Sequence, residues 1–342
     1  MSTIKRFVLL IPIIVVIAST LFVVAAQDED EEVNEFGMTE TEMLARGEYL
    51  VHIGACVACH TPQKEEYLTN ELTVEQLQTI TWSFEESQDI ENQFLAGGRQ
   101  FPLGPYGVLV SPNLTSDSTG LGDWTDEEIE AALRIGINRD GRRLYPLMPY
   151  ANFYNWSEAD MQALIMYLRT VPPVENEVIQ TGPSGEGIAP ELTVNIDELP
   201  QLPPDGSDQV ELGRYLVTYI MSCGDCHTPL DPETGMPLVP DMFLAGGQAY
   251  EGPWGIVYGG NITPHETGLA EWEAEDYIRV FREGVRIDGR RVVFMPWQDY
   301  TSITDEDLDA VIAYLQSLDP IDNEIPAPAL EDIFIEFVED EE

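Results

Sequence analysis

Thiols and basic side chains are what this 342-residue chain has least of. It carries four cysteines and four histidines, and its only lysines are Lys5 and Lys64. Against 62 acidic residues that shortage leaves a net charge of −46, which excludes nucleic acid and anionic membrane surfaces as partners. Such a shell suits a salty or acidic exterior, and it would also steer a basic redox partner toward the chain. Convincing runs of alternating apolar and polar residues are absent too, which points away from sheet and toward an all-α chain. No constellation of catalytic residues stands out, so no catalytic residue is assigned.

All four cysteines fall in one pattern used twice, Cys56-Val57-Ala58-Cys59-His60 and Cys223-Gly224-Asp225-Cys226-His227. Cys-x-x-Cys-His is the attachment signature of c-type haem. Two thiols three residues apart share one side of a helical turn, where each can bond a haem vinyl group, and the adjacent His is delivered to the iron. A single Cys-x-x-Cys could instead be half a zinc site, but that needs two more Cys or His ligands close by. The expected cofactors are therefore two covalent haem c groups, on Cys56 and Cys59 and on Cys223 and Cys226, with His60 and His227 as axial ligands. No thiol is left for a disulfide or a catalytic nucleophile.

Haem c is attached outside the cytoplasm, so an export signal is expected. Lys5 and Arg6 precede an uncharged apolar run, Phe7 to Ala26, that ends in small residues before Gln27. The run is long for a signal peptide and about long enough to span a bilayer, so it is read as either a cleaved leader or a retained anchor. Either way the location is extracytoplasmic, in the periplasm or at the cell surface.

An internal repeat covers most of the chain. Gly47-Glu48-Tyr49-Leu50-Val51 matches Gly213-Arg214-Tyr215-Leu216-Val217, and Phe94-Leu95-Ala96-Gly97-Gly98 matches Phe243-Leu244-Ala245-Gly246-Gly247. Asn113-Leu114-Thr115 pairs with Asn261-Ile262-Thr263, Trp124 with Trp272, Asp140-Gly141-Arg142-Arg143 with Asp288-Gly289-Arg290-Arg291, and Met148-Pro149-Tyr150 with Met295-Pro296-Trp297. Each half opens with a capped helix at Thr39 or Asp208 and closes with another at Ser157 or Thr304. Gly47 and Gly213 interrupt the opening helices at about 1 kcal/mol each, so a second helix should cross closely there. The organisation read from this is a leader or anchor at 1–26, an acidic spacer at 27–38, haem domains at 39–172 and 207–320, a Pro-rich linker at 173–206 and an acidic tail at 321–342. About 18 extra residues between His60 and Phe94 are read as a loop decoration with a helical turn or two.

The sixth position of each iron separates a carrier from an enzyme. Of ten methionines, Met148 and Met295 are the pair at equivalent positions, each held by a following Pro, and they are assigned as axial ligands. Met161 and Met166 lie on a helix and are read as core. His52 and His265 have no counterpart in the other half and are read as structural, with a rival ligand role as the alternative. Asn113, Asn155 and Asn261 form glycosylation sequons by pattern, but two of them belong to the repeat and are read as structural. Arg142, Arg143, Arg290 and Arg291 are candidates for haem propionates, or for surface salt bridges.

The Asn-Leu/Ile-Thr, Thr-Gly-Leu, Asp-Gly-Arg and Met-Pro-Tyr/Trp series in each half resembles the class I cytochrome c domains of bacterial multihaem cytochromes. Among these are cytochrome subunits of membrane-bound alcohol and gluconate dehydrogenases, which resemble three such domains in a row where this chain has two. The resemblance implies two tandem all-helical cytochrome c domains wrapped around covalent haem, His/Met ligation and the passage of single electrons between redox protein partners. Three functions follow as expectations: an exported dihaem carrier, the cytochrome subunit of a membrane-bound dehydrogenase or respiratory complex, and a dihaem peroxidase-type enzyme with one open iron.

Overall fold

The computed structural model describes residues 32–68, 72–82, 84–180, 182–187, 199–232, 237–238 and 240–335. The expected leader and nearly all of the acidic run after it lie outside these residues. From Val33 onward the two halves pack into one compact unit.

Helix α1 (Glu40–Ile53) begins at Thr39, whose hydroxyl accepts the Glu42 amide while the Glu42 carboxylate accepts the Thr39 amide. It buries Met43, Leu50, Val51 and Ile53 at helical spacing and leads into α2 (Cys56–His60), the first attachment motif. The extra residues of the first half fold as α3 (Val74–Trp82) and α4 (Phe84–Ser87), followed by α5 (Ile90–Gln93). Strands β1 (Gln100–Pro102) and β2 (Val108–Val110) form a hairpin. Then come α6 (Asp126–Ile135), the short α7 (Tyr150–Phe153) directly after the methionine loop, and α8 (Glu158–Thr170). The second half repeats the order with α9 (Gln209–Tyr215) continued by one π turn to Ile220, then α10 (Gly224–His227), a β3 (Ala249–Gly252) and β4 (Gly255–Tyr258) hairpin, α11 (Ala274–Glu283), a 3₁₀ turn at Asp299–Ser302, and α12 (Asp305–Ser317).

Opening and closing helices cross in each half, α1 on α8 and α9 on α12. The two glycines sit at the crossings, since a Cβ on Gly47 would collide with the Ala163 carbonyl oxygen and one on Gly213 with that of Ala310. The all-α expectation needs correcting. Among the described residues, two small antiparallel sheets stand beside the helices, β1–β2 and β3–β4–β5, the last strand being Ala329–Leu330. These strands are two to four residues long, too short to show a period of two.

The proline-rich stretch begins as a strap on the first half. Asn113 Nδ2 donates to the Val174 carbonyl at 2.8 Å and Asn176 Nδ2 to that of Ala96 at 2.8 Å. In the second half Asn261 holds Ile321 at 2.8 Å and Asn323 holds Ala245 at 2.9 Å. The repeated asparagines are thus buried, strap-holding residues, in agreement with a structural role. Further on, the carbonyls of Pro200 and Gln201 accept the amides of Glu158 and Ala159, two orphan donors in the first turn of α8. The tail docks as well: after β5, Phe334 is buried, and Gln78 of α3 donates to the Ile333 carbonyl at 2.9 Å.

The halves meet through one pair of residue types used in both directions. Tyr49 of α1 donates to Asp307 of α12 at 2.6 Å, and its counterpart Tyr215 of α9 donates to Asp160 of α8 at 2.8 Å. Each tyrosine oxygen also accepts a backbone amide, from Thr304 at 3.4 Å or from Ser157 at 2.9 Å. Arg46 lies between the two acids, bidentate on Asp160 and 4.0 Å from Asp307.

Candidate functional site

Both attachment motifs are short helices entered through a left-handed residue, Ala55 at φ 56° and its counterpart Ser222 at φ 52°. The remaining left-handed residues other than glycine, among the described ones, are Leu95 and Leu244 in the Phe-Leu-Ala-Gly-Gly segments. Side chains in this region cost about 1–2 kcal/mol per residue, and all four lie beside the motifs, where surrounding bonds impose the conformation. Thr61 Oγ1 accepts the Leu95 amide and Thr228 Oγ1 that of Leu244. The amides of Gly97 and Gly246 close the loops on the carbonyls of His60 and His227, at 2.7 and 2.6 Å. The repeat made these segments visible; their task of gripping the histidine carbonyl became clear only in the structure.

Each histidine is oriented in the same way. His60 Nδ1 lies 2.9 Å from the Pro112 carbonyl and His227 Nδ1 2.8 Å from that of Gly260, so Nδ1 carries the proton and Nε2 keeps its lone pair. Burial lowers the His60 pKa to about 4 and also lowers that of His227, which leaves both imidazoles neutral and fit to ligate a metal. Burial also pushes the thiols of Cys56 and Cys223 up to about 12. Buried, protonated thiols in apolar surroundings suit thioether formation with an apolar macrocycle. Among the described residues no group of three or more His, Cys, Asp or Glu converges as a protein metal site, which weakens zinc.

The fit of haem to this donor set is supported by orphaned polar atoms. The Tyr150 hydroxyl and the Trp297 indole nitrogen, two residues after Met148 and Met295, are buried without a hydrogen-bond partner. Arg143 lies near the Tyr150 hydroxyl, outside the geometry of a bond. Each ring covers the left-handed glycine that ends the preceding helix, Gly136 or Gly284, at a place a Cβ would fill. Buried donors of this kind call for acceptors from a ligand, and haem brings two carboxylates. Of the arginine candidates, Arg142 donates to the Gly182 carbonyl at 2.6 Å and Arg290 pairs with Asp288 at 2.5 Å.

Met148 and Met295 occupy matching loops and are partly buried against the core, whereas Met161 is fully buried on α8, as core packing requires. His52 faces Phe94 at 6.3 Å between ring centres, and His265 lies 3.0 Å from Thr267 and 3.8 Å from Asp322.

Several contacts at the motifs had no sequence signal. Gln88, at the end of the first-half insertion, donates to the carbonyls of Val57 and Thr61 at 2.9 and 3.1 Å. Arg99 donates to the Ala58 carbonyl. Other contacts come from the opposite half. Asp299, 3% exposed and four residues after Met295, lies close to the Ala58 amide in the first turn of α2. Its counterpart Asn152, four residues after Met148, donates to both carboxylate oxygens of Asp225 at 3.1 Å. Asp225 occupies in the second motif the place of Ala58 in the first.

Residues 44–172 match the cytochrome c family model. The chain is 32% identical over 306 residues to a quinone alcohol dehydrogenase cytochrome c subunit of Gluconacetobacter polyoxogenes, a match over 82% of this chain and 57% of that protein. A fructose dehydrogenase cytochrome subunit of Gluconobacter japonicus is 30% identical, over 80% of this chain and 52% of the relative. The chain thus spans little more than half the length of these subunits. A dihaem c-type cytochrome of Cereibacter sphaeroides is 26% identical, over 81% of this chain and 86% of its own length. Residues 44–172 are therefore a cytochrome c domain, in a chain whose relatives include cytochrome subunits of dehydrogenases and a dihaem cytochrome c.

Proposed function

We propose that the chain is an exported dihaem electron carrier, with one haem bound at Cys56 and Cys59 and ligated by His60 and Met148, and a second at Cys223 and Cys226 with His227 and Met295. The observation that carries this reading is the duplicated imidazole, Nδ1 tied to a backbone carbonyl and Nε2 kept available in both halves. When bound, each haem supplies a one-electron iron couple. The protein's own part is to fix the imidazole plane, surround the thioethers with buried apolar side chains, and offer the donors of Tyr150 and Trp297. A methionine thioether favours ferrous iron and raises the potential relative to a second imidazole.

The match to a dihaem cytochrome over 86% of its length supports two haems, and the dehydrogenase relatives support a second reading, in which the chain takes electrons as one subunit of a membrane dehydrogenase. Co-purification from native membranes distinguishes subunit from free carrier. The Phe7 to Ala26 run supports export, as leader or anchor, and sequencing the mature N-terminus decides between them. Among the described residues no helix is long and apolar enough to cross a membrane. For the carrier, haem quantitation should give two haems per chain, and both ferric irons should show the methionine charge-transfer band. Rapid cyanide or carbon monoxide binding by the untreated protein would instead support an open, peroxidase-type iron and overturn this ligation.

A further inference from the structure

Two of the contacts that join the halves end on the attachment motifs themselves. Between Cys56 and Cys59 lies Ala58, whose amide faces the Asp299 carboxylate of the second half. Between Cys223 and Cys226 lies Asp225, whose carboxylate is held by Asn152 of the first half. Asp299 and Asn152 are equivalent positions of the repeat, each one turn of chain beyond a methionine assigned to an iron. Ala58 and Asp225 are equivalent as well, each one peptide bond from the second thioether cysteine. The same pair of repeat positions therefore meets twice in opposite directions, from the methionine loop of one half to the haem-bearing cysteines of the other.

We propose that Asn152 and Asp299 are positioning residues for direct electron exchange between the two haem sites, Asn152 through its hydrogen bonds to Asp225 and Asp299 through its approach to the Ala58 amide across the interface. The proposal rests on the dihaem reading above. The exchange is balanced in itself: the electron lost as one iron goes from ferrous to ferric is the electron that reduces the other, and no proton or co-reactant is required. The surrounding interface suits such a path because it is fixed rather than adaptable. Tyr49 with Asp307, Tyr215 with Asp160, and Trp156 Nε1 on the Tyr219 carbonyl at 2.9 Å pin the same two surfaces beside it. The two links differ in chemistry. Asp225 is exposed and meets a neutral amide, whereas Asp299 is buried and meets a backbone N–H. An asparagine at 299 would keep an oxygen to accept the Ala58 amide; an alanine would not.

The test uses the holoprotein carrying both haems, reduced substoichiometrically by a pulse of one-electron reductant, with the redistribution between haems followed by absorbance. Both midpoint potentials are titrated in every variant, so that a change in driving force is separated from loss of the path. At equal driving force, Asn152→Ala and Asp299→Ala should each slow the redistribution severalfold, their combination should slow it further, and Asp299→Asn should run at the wild-type rate once its own potentials are allowed for. Asn152→Ala alters a contact at the protein surface, so it stays informative if the buried Asp299→Ala variant folds poorly. Wild-type rates in Asn152→Ala, or an Asp299→Asn variant as slow as Asp299→Ala, would overturn the proposal and leave the contacts purely structural. A wild-type protein with one haem, or with two that never equilibrate internally, would remove the dihaem carrier reading and this path with it, whatever the variants do.

Discussion

Asp299 is a buried carboxylate whose surroundings oppose its charge. Burial, and then the nearby Glu85, raise its pKa to about 7, against opposing contributions from Arg99 and the Ala58 amide. Its ordinary value is 3.8, so the folded protein holds this proton more tightly than the unfolded chain does. The resulting stabilisation is full below about pH 4 and is lost as the pH rises through about 7, a swing of at most about 4 kcal/mol. Asp299→Asn should therefore flatten this part of the profile. Urea midpoints at pH 5 and pH 8 should show the variant gaining on the wild type at pH 8; equal differences at the two pH values would show that Asp299 does not titrate in this range. At the irons, Met148→Ala or Met295→Ala should leave haem attached, open one iron to an external ligand and lower its potential. Met161→Leu should do none of these, because a volume-conserving swap in the core costs less than about 1.5 kcal/mol and touches no iron. Redox titration of the three proteins draws the contrast, and a shift in Met161→Leu alone would reject the ligand assignment.

The crossing helices turn on a competition at Gly47. Replacing a helical glycine with alanine gains about 1 kcal/mol of propensity. The added methyl would run into the carbonyl of Ala163, a backbone atom that cannot swing aside, and overpacking costs about 1–3 kcal/mol. Sterics should win, and Gly47→Ala should lower the denaturation midpoint, as should Gly213→Ala; a neutral or stabilised variant would mean that the helices can separate without loss. Features like this one were legible in the sequence because they are local. Thr39 and Glu42 announce a helix start three residues apart, and a glycine inside an apolar helical face announces a close neighbour. The two Cys-x-x-Cys-His motifs are local in the same sense. The hairpins were not legible, since Gln100–Pro102 and Val108–Val110 are shorter than any periodicity can show. Nor were Pro112 and Gly260 as histidine partners, because a carbonyl gives no sign in residue type. Asp160 and Asp307 look like ordinary members of capping boxes, yet their carboxylates are spent on Tyr215 and Tyr49 across the interface, a pairing set by long-range packing.

At the scale of the whole molecule, the last described residues support a segment near the beginning. Phe334 is 1% exposed, and Gln78 of α3 is bonded to the Ile333 carbonyl beside it. Truncating a buried Phe to Ala costs about 3–5 kcal/mol in a core. Here the loss should fall locally, so Phe334→Ala should speed hydrogen exchange in Val74–Trp82 and in Ala329–Phe334 while leaving the α1–α8 crossing protected. Unchanged exchange in α3 would show that the tail does not hold the insertion in place.

The paired tyrosines and aspartates at the centre form a contact that reads the same from either half. A chain of one half alone, bearing this Tyr and this Asp, would hold both members of an isologous contact and would close on a second copy of itself about a two-fold axis. Duplication and fusion of such an ancestor would convert that homodimer into a single polypeptide with its interface already made. Copies joined in one chain need not remain identical. Arg46 opposite Leu212, Ala58 opposite Asp225 and Asn152 opposite Asp299 are the differences that an obligate homodimer, bound to change both subunits at once, was never free to acquire.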